Sequence, residues 1–402
     1  MNLTQLNLAG KRVFVTGGTG FIGGRLIEKL VLEQQADVRV LVRNFARACR
    51  IARFPIEMVH GDVTQPDDLQ RAVKGCEIVF HCAALGSKGS RQVRHRVNVE
   101  GTRNVLSASL QAGVERVVHL SSLTVYGNTP DGDLDETAPR RYSGNIYSDT
   151  KLDGEKVAFE YIENHGLPVA ILQPAMVYGP FGDYWTIYTL QKLKTERFIL
   201  VNGGDGLCNP VYIDDVINAM LLAAVKKEAV GQAFLISGEQ PVTWREFFNR
   251  YAHMLGAADI TSMSETELLK AFRAQKQRKN KGLLKETLSI LREERLIRRR
   301  LFRTPEMTAM KKLGRSLLPR PVRQSLRQQF KRKSNSNKRE SLVTSEGEKP
   351  IQLMSPSNIQ FYAHKTRVRI DKAKQMLGYQ PAFDLESGMR LTEQWARWAN
   401  LL

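Results

Sequence analysis

Near its start the chain reads Thr16-Gly17-Gly18-Thr19-Gly20-Phe21-Ile22-Gly23, between a β-branched run over Arg12–Thr16 and an apolar-periodic stretch over Phe21–Leu32. A strand, a glycine-rich turn and a helix in this order predict a tight turn whose backbone approaches a pyrophosphate, while the first helical amides receive the anion. The glycine spacing alone is a weak signal, and the flanking strand and helix make it specific. We therefore expect a dinucleotide cofactor, with contacts at Gly17, Thr19, Gly20, Phe21, Ile22 and Gly23.

The first half of the chain alternates short β-branched runs with helical patterns. This alternation is typical of βαβ units and predicts an α/β fold with a Rossmann-type, doubly wound parallel sheet. The predicted strands are 12–16, 38–42, 56–60, 77–81, 115–120, 169–173, 210–213 and 233–237, and the predicted helices are 21–32, 69–73, 97–110, 147–163, 214–227, 372–379 and 385–400. The pattern becomes irregular after Gln173, which indicates a second, smaller α/β substrate lobe.

The length of 402 residues is enough for two lobes. We expect residues 1–178 and 210–238 to form the dinucleotide-binding domain, and residues 179–209, 239–260 and 350–402 to form the substrate lobe. The remaining residues, 261–349, hold 25 Lys and Arg against 9 Asp and Glu, which is +16 of the formal net charge of +19. They predict a basic helical insertion, partly disordered, on a nearly neutral enzyme body.

Leucines recur at helical spacing among the cations of this insertion, as at Leu284, Leu291 and Leu296. One interpretation is that the apolar stripe packs on the substrate lobe and the charges face solvent. The alternative is that residues 276–338 bind an anionic membrane surface, where each cation contributes about 1 kcal/mol. Nucleic acid is disfavoured as a partner, because aromatic residues suited to base stacking are scarce in this segment.

The composition is that of a soluble globular protein. No apolar run reaches the roughly 18 residues that span a bilayer, and the first residues show no secretory signal. We expect a cytoplasmic protein, with attachment to the inner face of the membrane and homodimer formation as further hypotheses. The cysteines show no metal-type pairing, so we expect neither a metal site nor disulfides; they are Cys49, Cys76, Cys82 and Cys208.

Two strand ends bear on the choice of cofactor. The second predicted strand ends at Arg43, where NAD sites commonly place a carboxylate and where Arg accommodates the 2′-phosphate of NADP. Arg43 therefore favours NADP, while NAD stays open and a solvated arginine is the alternative interpretation. After the third strand, Asp62 could accept a hydrogen bond from the adenine amino group or cap the following helix, with Val63 beside it.

A serine, a tyrosine and a lysine carry the predicted chemistry. Spacing of four residues puts the phenol of Tyr147 and the ammonium of Lys151 on one helical face. We expect the cation to lower the phenol pKa toward neutrality, so that Tyr147 exchanges a proton with a substrate hydroxyl as hydride moves. Ser122 ends the fifth predicted strand, at the edge where open α/β sheets bind ligands, and would orient the same oxygen. The three residues predict hydride transfer at a carbinol or ketone carbon.

The chain resembles an extended short-chain dehydrogenase/reductase of the NAD-dependent epimerase/dehydratase family. The resemblance runs from Lys11 to about Gly256 and again from about Val368 to Trp398. Its motifs are Thr16 to Gly23, Gly61-Asp62-Val63, His81-Cys82-Ala83-Ala84, Asn98-Val99-Glu100-Gly101-Thr102, Ser121 to Gly127, Tyr147 with Lys151, Pro174 to Pro180, and Asn209 to Val216.

This likeness implies roles for further residues. Ala83 and Ala84 would line the cofactor, and Lys151 would also hold the nicotinamide ribose. The segment from Pro174 to Val177 would cover the nicotinamide, and Asn209 and Tyr212 would face the substrate.

Departures from the family narrow the expected reaction. Sugar 4,6-dehydratases of this family place an Asp-Glu pair where this chain has Leu123 and Thr124. Decarboxylating relatives use a Glu at the Thr124 position, so dehydration and decarboxylation are both disfavoured. Gln173 stands where an Arg is frequent, which leaves the substrate contacts after the sixth strand open.

Three functions remain. The leading hypothesis is an epimerase or reductase of a nucleotide-linked sugar in polysaccharide synthesis. The alternative is an NADP(H)-dependent reductase or dehydrogenase of a hydrophobic ketone, of the dihydroflavonol reductase or 3β-hydroxysteroid dehydrogenase type, which Arg43 favours. A non-catalytic dinucleotide-sensing scaffold comes third, because the catalytic set is complete.

Overall fold

The computed structural model describes residues 6, 8–86, 89–129, 131–258, 260–275 and 354–402. The chain divides into two units, residues 1–262 with 360–402 and residues 263–359. The predicted membrane-binding segment, 276–338, lies outside the described residues. Within the described ranges, no helix is both long enough and apolar enough to cross a membrane.

Val, Ile, Leu and Phe dominate the runs that form the main strands, as expected for residues of high β propensity. The strands are β1 Arg12–Thr16, β2 Asp37–Val42, β3 Glu57–His60, β4 Ile78–His81, β5 Arg116–Leu120, β6 Gly132–Leu134, β7 Val169–Pro174, β8 Met176–Tyr178, β9 Leu200–Val201, β10 Leu207–Cys208, β11 Pro210–Tyr212, β12 Ala233–Ile236, β13 Val242–Thr243, β14 Ser262–Met263 and β15 Thr366–Val368.

Seven of these strands form one parallel sheet in the order β12-β7-β5-β4-β1-β2-β3. The chain runs outward from β1 to β3 on one side and from β4 to β12 on the other, so the strand order reverses between β1 and β4. Ligands of open α/β sheets bind at such a reversal, outside the carboxyl ends of the strands. The predicted α/β fold with a Rossmann-type, doubly wound sheet is confirmed.

Helices connect the strands. They are α1 Phe21–Leu32, α2 Pro66–Val73, α3 Arg91–His95, α4 Gly101–Ala112, α5 Ile146–His165, α6 Thr189–Thr195, α7 Ile213–Val225, α8 Trp244–Met254, α9 Pro356–Ala363 and α10 Leu385–Trp398, and residues 265–275 are also helical. The helix predicted over 97–110 is divided, because residues 96–100 form a π-helical segment between α3 and α4. The helix predicted over 372–379 is shorter than expected, because the π-helical turn over 373–377 ends at Gly378, which has φ +71°.

Helices cover both faces of the sheet. On one face α1 packs against α7, and on the other α4 packs against both α2 and α5. Alternate residues of β1 divide between the two cores: Val13 and Val15 belong to the first and Phe14 to the second. Because both faces are buried, the strands read as continuous apolar runs rather than as alternating ones.

The turn between β1 and α1 requires its glycines. Gly17 has φ +72°, and a Cβ there would lie 2.6 Å from the backbone nitrogen of Ala83. Gly18 is constrained by the core, since its Cβ would lie 2.6 Å from side-chain carbons of Ile27 and Val40. The turn is therefore held against the loop that follows β4, at the point where the strand order reverses.

A buried carboxylate fastens a distant segment to the start of α7. Asp215 is fully buried and accepts the backbone N–H groups of Ala382, at 2.8 Å, and Phe383, at 3.2 Å. Burial raises the pKa of Asp215 to about 6, although the two amides oppose the shift. The two hydrogen bonds hold residues 382–383 against the start of α7, while burial disfavours the ionised form of Asp215.

We expect Gly17→Ala to lower the free energy of unfolding more than Gly10→Ala. Both glycines have a positive φ, +72° and +71°, so the backbone strain of an alanine is similar, about 1 to 2 kcal/mol. Gly10 has no atom within 4 Å of the added Cβ, whereas Gly17 meets the backbone of Ala83. The extra loss at Gly17 should be about 1 to 3 kcal/mol in urea unfolding. Equal losses would show that the two segments do not approach this closely.

We expect Asp215→Asn to change the pH dependence of stability. The pKa of Asp215 is raised on folding, so its contribution to stability is present at low pH and is lost as pH rises through about 6. Asn stays neutral and does not suffer this loss. The free energy of unfolding of the variant, relative to that of the parent, should therefore rise by about 2 to 3 kcal/mol between pH 4 and pH 7. Urea unfolding at both pH values measures this gain, with the exposed Asp371→Asn as control. Parallel pH profiles for Asp215→Asn and its parent would contradict the prediction.

Candidate active site

The glycine-rich turn leaves the first turn of α1 open. Gly20 is the N-cap and has no side chain, and the first helical hydrogen bond runs from Gly24 N to Gly20 O at 2.9 Å. The three amides between them have no partner within the helix, and a Cβ at Gly23 would lie 2.8 Å from the carbonyl carbon of Gly17. This cradle fits the phosphates of a dinucleotide. Of the predicted contacts, Thr19 and Gly20 are exposed, Gly17, Phe21 and Ile22 are half-buried, and Gly23 is buried.

Arg43 and Asp62 face each other at the ends of β2 and β3. The Arg43 side chain is 63% exposed, and its Nη1 lies 3.4 Å from Asp62 Oδ2. Asp62 Oδ1 accepts the N–H of Thr64 at 2.9 Å. Burial acts to raise the pKa of Asp62, but the hydrogen bonds from Thr64 and the charge of Arg43 outweigh it, and the pKa is lowered. Gln65 is the N-cap of α2, so Asp62 is not the helix cap that the sequence left open. Val63 is buried beside it.

Ser122 and Tyr147 meet at the carboxyl edge of β5. Ser122 comes two residues after β5, and its hydroxyl is near enough to Tyr147 to oppose the rise in the phenol pKa. Asn145 caps α5 by accepting the N–H of Tyr147 at 2.9 Å, which fixes the start of the helix. Lys151 follows one turn later; it is buried, and its Nζ donates to the carbonyl oxygen of Leu120 at 2.5 Å.

The protonation states differ from the sequence-based expectation. Burial raises the pKa of Tyr147 above its ordinary value of 10, and the hydrogen bond with Ser122 offsets this only in part. Burial also lowers the pKa of Lys151 to about 8. The expected lowering of the phenol pKa toward neutrality is therefore wrong for this structure, because burial dominates and the ammonium points to Leu120. At neutral pH the site holds a protonated phenol and a charged lysine.

Thr124 completes the hydrogen bonding of Ser122. Its backbone N–H, at 3.3 Å, and its hydroxyl, at 3.2 Å, both donate to Ser122 Oγ. The serine oxygen is used as an acceptor, so its own hydrogen can be donated to Tyr147 or to a substrate oxygen. The sequence indicated only that an acid is missing at Thr124. A threonine two residues beyond a serine carries no pattern that would reveal this contact.

A chain of buried hydrogen bonds fixes the loop after β4. The N–H of Ala83 donates to Thr16 Oγ1 at 3.3 Å, and this hydroxyl lies 2.8 Å from His81 Nδ1. His81 Nε2 lies 2.9 Å from the hydroxyl of Thr102, which itself donates to Asn98 O. The His81 ring must therefore carry its proton on Nε2, and burial keeps it neutral by lowering its pKa to about 3. The loop thus has one defined arrangement.

Asn98 links this loop to the catalytic helix. Its Oδ1 accepts from Leu85 N at 2.7 Å, and its Nδ2 donates to Leu85 O at 3.1 Å and to Thr150 Oγ1 at 3.0 Å. Gly154 allows the close packing, since a Cβ there would lie 2.6 Å from Asn98 O. The sequence named the motif of Asn98 without assigning it a role. Ala84, between the two ends of this loop, is exposed.

The residues expected to face the substrate are used inside the protein. Asn209 donates to Thr366 O and accepts from Val368 N, both at 2.9 Å, and so holds β15. Tyr212 is buried, and the centre of its ring lies 4.4 Å from the centre of the Phe383 ring. Both side chains thus have internal partners, and the substrate contact expected at each stays a prediction. Of the segment expected to cover the nicotinamide, Pro174 is buried at the end of β7 and Val177 is half-buried in β8.

The described ranges contain no group of three or more His, Cys, Asp or Glu side chains that could hold a metal ion. The polar groups of the site are instead hydroxyls, one amine and backbone amides. These groups suit proton transfer and anion binding.

Known proteins of two kinds are similar to this chain. It is 29% identical over 265 residues to a 4-hydroxy-2-methyl-3-oxo-4-farnesyl-3,4-dihydroquinoline-1-oxide ketoreductase of Stigmatella aurantiaca, covering 65% of this chain and 74% of the relative. It is 32% identical over 258 residues to a putative dihydroflavonol 4-reductase of Synechocystis, covering 62% and 72%. The structure of a UDP-glucose 4-epimerase from Thermotoga maritima matches with a TM-score of 0.65 at 20% identity, covering 97% of this chain and 99% of the other.

The family model for the NAD-dependent epimerase/dehydratase family matches residues 13–237, more than half of the chain. The match spans the glycine-rich turn, the loop after β4, and the residues Ser122, Tyr147 and Lys151. With the confirmed sheet and the open cradle at α1, this match shows that the chain belongs to the NAD-dependent epimerase/dehydratase family of extended short-chain dehydrogenases/reductases and is an NAD(P)-dependent enzyme.

Proposed function

We propose that this protein is an NADP(H)-dependent reductase of a hydrophobic ketone. The observation that carries the proposal is the hydrogen bonding of Ser122: its oxygen accepts the backbone N–H and the hydroxyl of Thr124, so its own hydrogen is available to a ketone oxygen. The raised pKa of Tyr147 agrees with this, because a protonated phenol can donate to the same oxygen. A hydrogen-bond donor and a protonated phenol are the groups that reduction of a ketone needs, whereas epimerisation through a ketone begins with oxidation of an alcohol and needs a base.

The reaction adds a hydride to the carbonyl carbon and a proton to its oxygen, which gives a secondary alcohol. Bound NADPH supplies the hydride. Ser122 donates a hydrogen bond to the ketone oxygen and orients it, and Tyr147 transfers its proton to the same oxygen. Solvent then returns a proton to Tyr147, and Lys151 supplies a positive charge one helical turn away on the same face of α5.

For the cofactor we propose the residues that surround the cradle. Gly17, Gly20 and Gly23 leave room for the phosphates, and Arg43 presents an exposed guanidinium for the 2′-phosphate of NADP. Arg43 also pairs with Asp62, whose carboxylate partly offsets its charge. The other proposed contacts are Thr19, Phe21, Ile22, Asp62, Val63, Ala83, Ala84, Tyr147, Lys151, Pro174 and Val177.

Two observations support a hydrophobic substrate. The names of both curated relatives describe reductases, and one of the names includes a farnesyl group. In addition, aromatic rings are exposed on segments that follow the sheet, with Tyr184 53% and Phe361 46% exposed. We propose that these rings contact the apolar part of the substrate, since sites for small apolar ligands are lined mainly by apolar and aromatic side chains.

A nucleotide sugar is the alternative substrate, and its support is the fold of the UDP-glucose 4-epimerase. A substrate screen with the purified protein separates the two. With hydrophobic ketones, the protein should oxidise one NADPH for each ketone reduced, measured as the loss of NADPH absorbance. Added NADPH should suffice, with no need for a tightly bound cofactor. Turnover of UDP-sugars by protein that retains NAD through purification, without consuming NADPH, would overturn the proposal.

We expect Tyr147→Phe to lower kcat for ketone reduction by about 10²- to 10⁴-fold, because the proton donor is lost. Binding of NADPH, followed by its fluorescence, should change little. The matched control is Tyr142→Phe, which removes the hydroxyl of an exposed tyrosine that bonds Asp153 and Lys156. Retention of full activity by Tyr147→Phe would remove the basis of the proposed mechanism.

We expect Arg43→Ala to weaken binding of NADPH about tenfold or more, since a charged contact with the 2′-phosphate is lost. Binding of NADH, which has no 2′-phosphate, should stay within about twofold. Fluorescence titration of both cofactors measures this, with the exposed Arg71→Ala on α2 as control. An equal loss for both cofactors would show that Arg43 does not read the phosphate.

A further inference from the structure

Glu155 is a buried carboxylate within the catalytic helix. It has no exposed surface and lies one turn after Lys151 on α5, on the face that also carries Tyr147. A buried carboxylate is costly unless it is paired and hydrogen-bonded. Neither the family resemblance nor the helical pattern assigned Glu155 a role.

Four contacts compensate the buried charge. Arg140 donates from Nε to Oε1, and the amide of Gln173 lies 2.9 Å from both carboxylate oxygens. The hydroxyl of Ser121 donates to Oε2 at 2.5 Å. Gln173 also accepts the hydroxyl of Tyr126 at 2.8 Å, so the amide cannot turn without breaking that bond.

The partners of Glu155 lie beside the residues of the proposed mechanism. Ser121 precedes Ser122, and Gln173 precedes Pro174 at the carboxyl end of β7. Arg140 belongs to the segment that leads into α5, and its guanidinium lies 5.0 Å from the centre of the Phe159 ring. One carboxylate therefore joins the ends of two strands to the helix that carries Tyr147 and Lys151.

Glu155 also has an electrostatic effect on Lys151. Burial lowers the pKa of Lys151, and the negative charge of Glu155 is the largest influence that opposes this. Four titratable groups of the same region are neutral at pH 7, because burial lowers the pKa of His81 and His119 and raises that of Cys82 and of Tyr147. Glu155 itself faces Arg140 and Tyr126 on its other sides.

We propose that Glu155 is a positioning residue, which aligns Ser122 with Tyr147 through Ser121 and Gln173 and places a negative charge one helical turn from Lys151 on the same face of α5. Its effect on rate rests on the proposed ketone reduction, whereas its effect on Lys151 does not. If Lys151 must be charged, kcat/KM for NADPH falls as pH rises through about 8, where the lysine loses its proton.

The first test removes the charge. Glu155→Gln should move the fall in kcat/KM for NADPH about one pH unit lower, because the neutral amide no longer favours the ammonium. Glu160→Gln, on the same helix and paired with Arg103 at the surface, should leave the profile unchanged. The pH dependence of NADPH binding, measured by fluorescence without substrate, should shift in the same direction. A folded Glu155→Gln with both profiles unchanged would overturn the electrostatic role.

The second test removes one contact and keeps the charge. Ser121→Ala deletes the hydroxyl that donates to Glu155, and it should lower kcat about tenfold without moving the pH profile. Unchanged kcat would overturn the positioning role, and this variant decides that role if Glu155→Gln fails to fold. A parent protein that binds NADPH but reduces no ketone would refute the proposed function, while the binding profiles would still test the effect of Glu155 on Lys151.

Discussion

The site depends on a close approach of two backbone segments, the turn at Gly17 and the loop at Ala83. They lie at the ends of β1 and β4, where the strand order of the sheet reverses. A side chain on the turn would separate them, and the hydrogen bonds from Ala83 through Thr16 to His81 would lengthen or break. The same loop is tied through Asn98 to α5, so the glycine-rich turn and the helix that carries Tyr147 are parts of one connected framework.

The sequence predicted the sheet well because apolar periodicity is a local pattern that marks strands and helices. It also placed Ser122 at the end of a strand, which is the edge where open α/β sheets bind ligands. It did not reveal the partners of Asn209, because Thr366 and Val368 lie more than 150 residues away along the chain. It also failed for the pKa of Tyr147, because the burial that raises this pKa is produced by the whole fold and leaves no local pattern.

Membership in the family leaves the reaction open, because its members share a fold and a set of catalytic groups. What distinguishes them is the environment of those groups. In this protein Thr124 supplies hydrogen bonds to Ser122, and Glu155 places a negative charge one turn from Lys151. Both effects would act on the proposed proton transfer, and neither is visible in the glycine motif or in the spacing of Tyr147 and Lys151.

The parallel pairing of β15 with β6 joins residues more than 230 positions apart, and Asp215 holds Ala382 across 167 positions. Contacts of such high sequence separation raise the contact order, and chains with high contact order fold slowly. Until they form, the amide of Asn209 and the carboxylate of Asp215 face water and the aromatic surface around Tyr212 is uncovered. A chain whose synthesis stops before residue 366 would therefore present these groups to chaperones and proteases, even with its seven-stranded sheet assembled.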